Sequence, residues 1–305
     1  MARPRSGQIV GTLREIWPLL PAALYLLTFL GIVLFYLIAL TFSKVTDTGV
    51  IFPTLRTLGE VVVMPQFSEA LVNTLLFALV GTPLELIVGL YLALLLYKWF
   101  PFRDTVRSVF MIPLAIPALV TAILLFILFD YPGGHVNHLL MGKYAFFPQV
   151  LHDPINWRSS KVFALGVSLV GKVWRDMPIT MLIISGGLLS IDPELLDAAK
   201  SMGAGWRRQF QHVIVPLILP SISAVVLLRS IEMWKEFIFP FVLAGQHELL
   251  GTFIESLYNS WGNAHQSAAV ALILVFCIVA TSFLLFWLAE MLRRMVVEGG
   301  EHAKR

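Results

Sequence analysis

Six stretches of the chain are apolar for long enough to cross a bilayer, with polar segments between them. A spanning helix needs about 20 mostly apolar residues, because only a helix can satisfy its own backbone in lipid. The first stretch runs from Trp17 to Phe42, with no charge between Glu15 and Lys44. The second runs from Ala70 to Tyr97 and holds one acid, Glu85. The third runs from Ser108 to Phe129 and contains Pro113 and Pro117. The fourth, Val162 to Ile191, carries Lys172, Arg175 and Asp176. The fifth, Val213 to Leu243, carries Arg229, Glu232, Lys235 and Glu236. The sixth runs from Ser267 to Ala289. The pattern predicts an all-α membrane protein: one domain over residues 1–305, with spans at 17–42, 70–97, 108–129, 162–191, 213–243 and 267–289. A hydrophilic loop, 192–212, lies between spans four and five.

Composition agrees with this pattern. The 305 residues are 58% hydrophobic and 13% charged, where soluble domains carry about 25% charge. Cys277 is the single cysteine, so neither an intrachain disulfide nor a multi-thiolate metal site is available. The first apolar stretch follows Arg3, Arg5 and Arg14 and is far longer than the cleavable core of a signal peptide, about 7–15 residues. It reads as a retained span. His135, His138, His152, His247 and His265 fall in connecting loops with no metal-binding spacing. No paired catalytic carboxylates or activated nucleophile stand out, and no polar run is long enough for a second, soluble domain. A glycine-rich phosphate loop of the ATPase kind is also missing. Any energy source therefore lies on another chain or in an ion gradient.

Basic residues set the orientation of such a protein. With the N-terminus inside, the inner segments hold Arg3, Arg5, Arg14, Lys98, Arg103, Arg107, Lys200, Arg207, Arg208, Arg293, Arg294, Lys304 and Arg305. The outer loops hold only Lys44, Arg56, Lys143, Arg158 and Lys161. Both termini and the 192–212 loop are accordingly expected in the cytoplasm.

That loop is the most informative segment. Asp192 can cap a helix whose first residue is Pro193, where a missing N–H costs nothing, and Glu194 suits the positive end of its dipole. Leu195, Ala198, Ala199 and Met202 follow helical spacing. Gly203 and Gly205 end the helix, and a second one begins near Trp206, with Phe210 and Val213 on its face; Pro216 and Pro220 mark the entry to span five. Two readings are open: an amphipathic loop resting on lipid headgroups, or a docking element whose alanines let a partner's backbone approach.

The run Leu-Asp-Ala-Ala-Lys-Ser-Met-Gly-Ala, followed by Phe210, Val215, Pro216 and Pro220, resembles the Glu-Ala-Ala loop of binding-protein-dependent ABC importer permeases. Asn73-Thr-Leu, Gly89 with Ala93, Arg107 through Pro117, Gly134 with Asn137, Trp174 with Pro178, and Gly187-Leu188 are similar to the carbohydrate-uptake, maltose-permease-like branch. So are Arg229, Trp234 and Phe237. The resemblance implies the type I importer permease fold and a coupling role for Glu194, Asp197 (where Glu is usual), Ala198, Ala199, Gly203, Ala204, Phe210 and Pro216. It also implies a second permease of different sequence, two ATPase subunits that bind ATP and Mg, and an extracytoplasmic binding protein facing the Gly133–Lys161 and Gly245–Gln266 loops. The chain itself would be non-catalytic, without cofactor or nucleic-acid partner, in the cell membrane.

Each ionisable residue at mid-membrane costs about 2.5–3.5 kcal/mol on insertion scales, so Arg229, Glu232 and Glu236, with Met233 on the same helical stripe, mark either a polar solute path, with Trp174, Trp234 and Phe237 as aromatic faces that can stack on sugar rings, or an internal ion-pair network. Arg229 and Glu232 are expected to compensate each other, with Lys235 in reach of Glu232, and Glu85 is expected to meet a partner or a headgroup. Transport of a sugar is the leading expectation. The same machine with a polyamine or oxyanion as solute, or an ion-coupled carrier using Glu85, Glu232 or Glu236, are the alternatives.

Overall fold

The computed structural model describes residues 17–46, 49–98 and 100–302. Arg3, Arg5, Arg14, Lys304 and Arg305, which contribute to the charge asymmetry, lie outside the described residues. Helix α1 (Leu20–Thr41) continues a short 3-10 turn at Trp17–Leu19. A hairpin follows, β1 (Lys44–Thr46) against β2 (Gly49–Ile51), paired antiparallel with Val45 opposite Val50. The all-α expectation is thus corrected to mostly α: three-residue strands are too short to leave a periodic signal.

Beyond the hairpin come α2 (Arg56–Val62) and α3 (Pro65–Tyr97), the latter opened by a proline at its first position. The third apolar stretch is two helices, α4 (Arg103–Ala115) and α5 (Ala118–Leu128), bent by 91°. Pro117 causes the break, since it forces Ile116 out of the helical region to ψ 129. The stretch expected at 108–129 is thus a bent pair whose first helix begins at Arg103. α6 (His135–Leu140) lies in the next loop, and α7 (Lys161–Leu189) carries the fourth stretch into α8 (Pro193–Ser201). α9 (Trp206–Gln209) and a π-turn at Phe210–Ile214 lead into α10 (Val215–Trp234). α11 (Ile238–Leu243), α12 (Leu250–Glu255) and the long α13 (Ala264–His302) complete the chain. Among the described residues, four helices are long and apolar enough to cross a membrane, and counting the bent pairs α4/α5 and α7/α8 as one span each raises the number to six.

The bundle centres on α3, α7 and α10. α3 and α7 share the most extensive contact, which Gly89 permits: a β-carbon there would lie 2.2 Å from Thr180 Cγ2 and 3.1 Å from the Met181 nitrogen. Small residues let helices approach closely in lipid, where apolar packing has no hydrophobic drive behind it. α1 stands apart. Of its residues only Thr41 is buried, and its exit is pinned to α13 by the Ser43 hydroxyl, 2.9 Å from His265 Nδ1.

Two asparagines order the loops. Asn73 on α3 donates to the Glu248 carbonyl at 2.8 Å, and the neighbouring Thr74 hydroxyl accepts the Leu250 N–H at 2.8 Å. That ties α3 to the start of α12. Glu248 is itself half-buried; burial pushes its carboxyl above the usual carboxylate range, against the hydroxyl bond from Ser256. Asn137 is fully buried and spends its whole amide on the 130–157 loop. It donates to the Asp130 and Ile155 carbonyls (3.1 and 3.0 Å) and accepts from the Ile155 amide and Trp157 Nε1 (3.0 and 3.1 Å). Asn137→Ala strands both of those donors, at about 1–3 kcal/mol each. Limited proteolysis of the purified protein should therefore cut between residues 141 and 153 at least roughly tenfold faster, the factor that about 1.4 kcal/mol of easier opening produces. A wild-type cleavage rate would remove Asn137 as the organiser of this loop.

Candidate functional site

Two features concentrate the polar chemistry: a charged cluster inside the bundle and the 192–212 loop below it. The cluster gathers Glu85 from α3, Lys172, Arg175 and Asp176 from α7, and Arg229, Glu232, Lys235 and Glu236 from α10 and the break after it. At its inner end, Glu85 is 0% exposed and Arg229 Nη1 lies 3.2 Å from its Oε1, an oxygen that also accepts the Thr180 hydroxyl at 3.2 Å. Asp176 is held by Lys172 and Arg175, each at 2.5 Å, and faces Arg229 at 3.9 Å. Lys172 bridges onward to Glu236 at 3.1 Å and towards Glu232 at 3.9 Å. Lys235 closes the series on Glu232 at 2.8 Å, as the three-residue spacing predicted. Exposure rises along the chain of contacts, from a sealed Glu85 to an open Lys235.

Two expectations are corrected here. Arg229 does not pair with Glu232, three positions on; it turns across the bundle to Glu85. Glu85 in turn is no headgroup or partner contact but the deepest acid of the cluster. The charge sets of spans four and five also prove to be one network, joined through Lys172. The energetic reason is plain. An isolated charge in this setting costs several kcal/mol, and the four carboxylates meet four cations here. Glu236 does a second job: its Oε1 accepts the Phe239 amide at 3.2 Å, capping α11 where the helix restarts.

The aromatic candidates divide. Trp174, 42% exposed, presents its ring outward from α7. Phe237 stacks on Phe241, with ring centres 4.9 Å apart. Met233 and Trp234 are buried in the core, Met233 against Gly81.

The loop below is built from local chemistry. Asp192 caps α8 by accepting the Glu194 amide at 2.9 Å, with Pro193 in the first turn. The helix ends in a Schellman turn: Ala204 N–H bonds the Ala199 carbonyl at 2.9 Å and Gly203 N–H bonds Lys200 at 2.8 Å. Gly203 sits at φ +80, as a glycine stop requires. The Gln209 side chain then ties α9 back by donating to the Ala204 carbonyl at 2.6 Å, and Lys98 lies over the Trp206 ring, 4.7 Å from its centre. Ala199 and Leu196 turn inward; Ile214, at the end of the π-turn, is fully buried, with Phe210 packed beside it. Leu195, Ala198 and Met202, the last 83% exposed, form an outward stripe beside Glu194 and the Asp197–Lys200 pair (2.8 Å). Pro216 opens α10. Among the described residues, no group of three or more His, Cys, Asp or Glu is placed to hold a metal ion.

Comparisons with known proteins point the same way. Residues 85–297 match the family described as "Binding-protein-dependent transport system inner membrane component". A probable ABC transporter permease of Sinorhizobium fredii is 29% identical over 284 residues, covering 89% of this chain and 88% of the relative. A trehalose/maltose transport system permease of Thermococcus litoralis is 28% identical over 196 residues, covering 64% of this chain and 63% of the relative. The fold is similar to that of a bacterial ABC transporter involved in alginate import, with a TM-score of 0.76, 15% identity, and coverage of 93% of this chain and 99% of that one.

Proposed function

The chain belongs to the family of binding-protein-dependent transport system inner membrane components, and we propose that it is the permease of an importer for a sugar or closely related solute. Permease subunits of this family are non-catalytic transport components, and the chain is a multi-pass inner-membrane protein. The observation that carries the reading is the 192–212 loop: a capped, rigid helix that leaves Leu195, Ala198 and Met202 uncovered at the foot of the bundle. Such a stripe buries too little area to anchor in lipid, at about 25 cal/mol per Å². It suits a cleft on a second protein.

In this reading one of two ATPase subunits grips the exposed Glu194, Asp197, Ala198 and Gly203, while Ala199, Ala204, Phe210 and Pro216 hold the shape of the loop behind them. Closure of the two ATPase subunits moves the loop as a lever, and six spans alternate between inward and outward access. A second permease, of different sequence, completes the path, and a loaded extracytoplasmic binding protein docks on the 133–161 and 245–266 loops. Trp174 and Phe237 offer ring faces for a sugar, and Arg229, Glu232, Met233, Trp234 and Glu236 shape the wall behind them. The sugar follows from relatives such as the trehalose/maltose permease. The carboxylates support it too. Glu85, Glu232 and Glu236 each already meet a cation of this chain, at 3.2, 2.8 and 3.1 Å.

Orientation and docking are testable together in a Cys277→Ser background. With both termini in the cytoplasm, an impermeant thiol reagent applied to intact cells labels Lys143→Cys and not Ala198→Cys. In inverted vesicles Ala198→Cys labels only after the ATPase subunits are stripped away. The reverse sidedness, or equal labelling with and without those subunits, would contradict the proposal.

A further inference from the structure

The ion pairs inside the bundle are arranged for exchange rather than for locking. A lock between Arg229 and Glu85 would use the bidentate fork, in which two guanidinium N–H groups meet both carboxylate oxygens. Here one Nη1 meets one oxygen at 3.2 Å, while Arg229 Nε and Glu85 Oε2 are buried with no hydrogen-bond partner among the described residues. The same Nη1 stands 3.9 Å from Asp176 Oδ2, on a different helix. Lys172 repeats the arrangement: it touches Asp176 at 2.5 Å and Glu236 at 3.1 Å, with Glu232 waiting at 3.9 Å. Each deep cation therefore has a near carboxylate and a second one less than a turn of helix away. Glu85, Asp176 and the Glu232/Glu236 pair ride on three separate elements, α3, α7 and the end of α10.

Stranding any one of these charges would cost several kcal/mol. A helix that had to break a pair before making another would meet that cost as a barrier. With second partners at 3.9 Å, α10 can shift against α3 and α7 by the 1–2 Å typical of such transitions and keep each deep cation paired, while Glu85 retains the Thr180 hydroxyl.

We propose that Arg229 and Lys172 are positioning residues of the transport cycle: Arg229 passes between Glu85 and Asp176 as Lys172 passes between Asp176/Glu236 and Glu232, and the two arrangements belong to the two access states. This rests on the importer reading. The residues do not contact the solute; they set the balance between states.

The test uses the complete transporter in lipid nanodiscs, with ATP hydrolysis measured without binding protein and with loaded binding protein. Glu85→Gln removes one of Arg229's two partners and Asp176→Asn the other, so the two variants bias the equilibrium to opposite sides. One should raise and the other lower the basal hydrolysis rate, each by about threefold or more, in a complex assembled at normal yield. Glu85→Asp keeps the charge, shortens the reach, and shifts the rate in the direction of Glu85→Gln with smaller amplitude; it serves where the Gln variant does not assemble. Shifts in the same direction, or no shift, overturn the proposal, because a purely structural pair would weaken both variants alike. Wild-type hydrolysis that ignores the loaded binding protein would instead sink the importer reading itself.

Discussion

Gly203→Val should abolish uptake while the protein still accumulates in the membrane with its spans intact. At φ +80 a β-branched residue is held in a region that costs about 1–3 kcal/mol, and the Schellman turn that ends α8 is lost with it. Nothing among the described residues lies within 4 Å of the β-carbon that would be added, so the bundle has no packing reason to fail. The damage is confined to the angle between α8 and α9, which is the angle the ATPase subunits would grip. Asp197→Lys should act similarly: it breaks the 2.8 Å contact with Lys200 and reverses the charge beside the exposed stripe. The signature is a complex whose hydrolysis no longer rises with loaded binding protein, and uptake below about a tenth of wild type, the loss that 1.4 kcal/mol of coupling represents. Normal uptake with normal stimulation in both variants would show that another element carries the coupling.

Arg229→Ala should act one step earlier, on the folded bundle. It leaves Glu85, 0% exposed, without its cation, and breaking a buried pair on one side costs about 3–5 kcal/mol. The expected result is low accumulation and a thermal transition well below wild type in detergent. Replacing both partners with apolar groups of similar volume, Arg229→Met with Glu85→Leu, should restore accumulation, since a buried pair can be exchanged for good packing at little cost. Uptake should not return with it, because the second arrangement of Arg229 at Asp176 is gone. Arg229→Ala protein that accumulates and melts as wild type would remove the Glu85 pairing from the account.

These two variants also divide what the sequence reveals from what it hides. The loop was legible because its signals are local. Asp192 with Pro193 and Gly203 bracket one short helix, and cap and stop chemistry act over one turn. The six apolar stretches were legible because hydrophobic length is a one-dimensional property. Pro117 announced a break, yet the 91° turn it makes depends on what α4 and α5 pack against. The partner of Arg229 was hidden. Glu85 lies 144 positions away, and the nearer Glu232 offered an apparent match on the same helix. Helical spacing relates Arg229 to Glu232 along one element, whereas the pairing runs across three. The signal that could have found it is Glu85 itself: a lone acid in an otherwise apolar span demands a cation from elsewhere. Met233 and Trp234 carried no such signal, because inward and outward positions of a membrane helix are apolar alike.

The central claim is that ATP hydrolysis on partner subunits drives a solute through this chain, and uptake into proteoliposomes tests it most directly. The complete complex is reconstituted with loaded binding protein outside, and a mixture of radiolabelled mono- and disaccharides serves as probe. Uptake should require ATP inside the vesicles and continue undiminished when ionophores collapse the proton and sodium gradients. Uptake that survives without ATP and stops with the ionophores would contradict the account and identify an ion-coupled carrier instead.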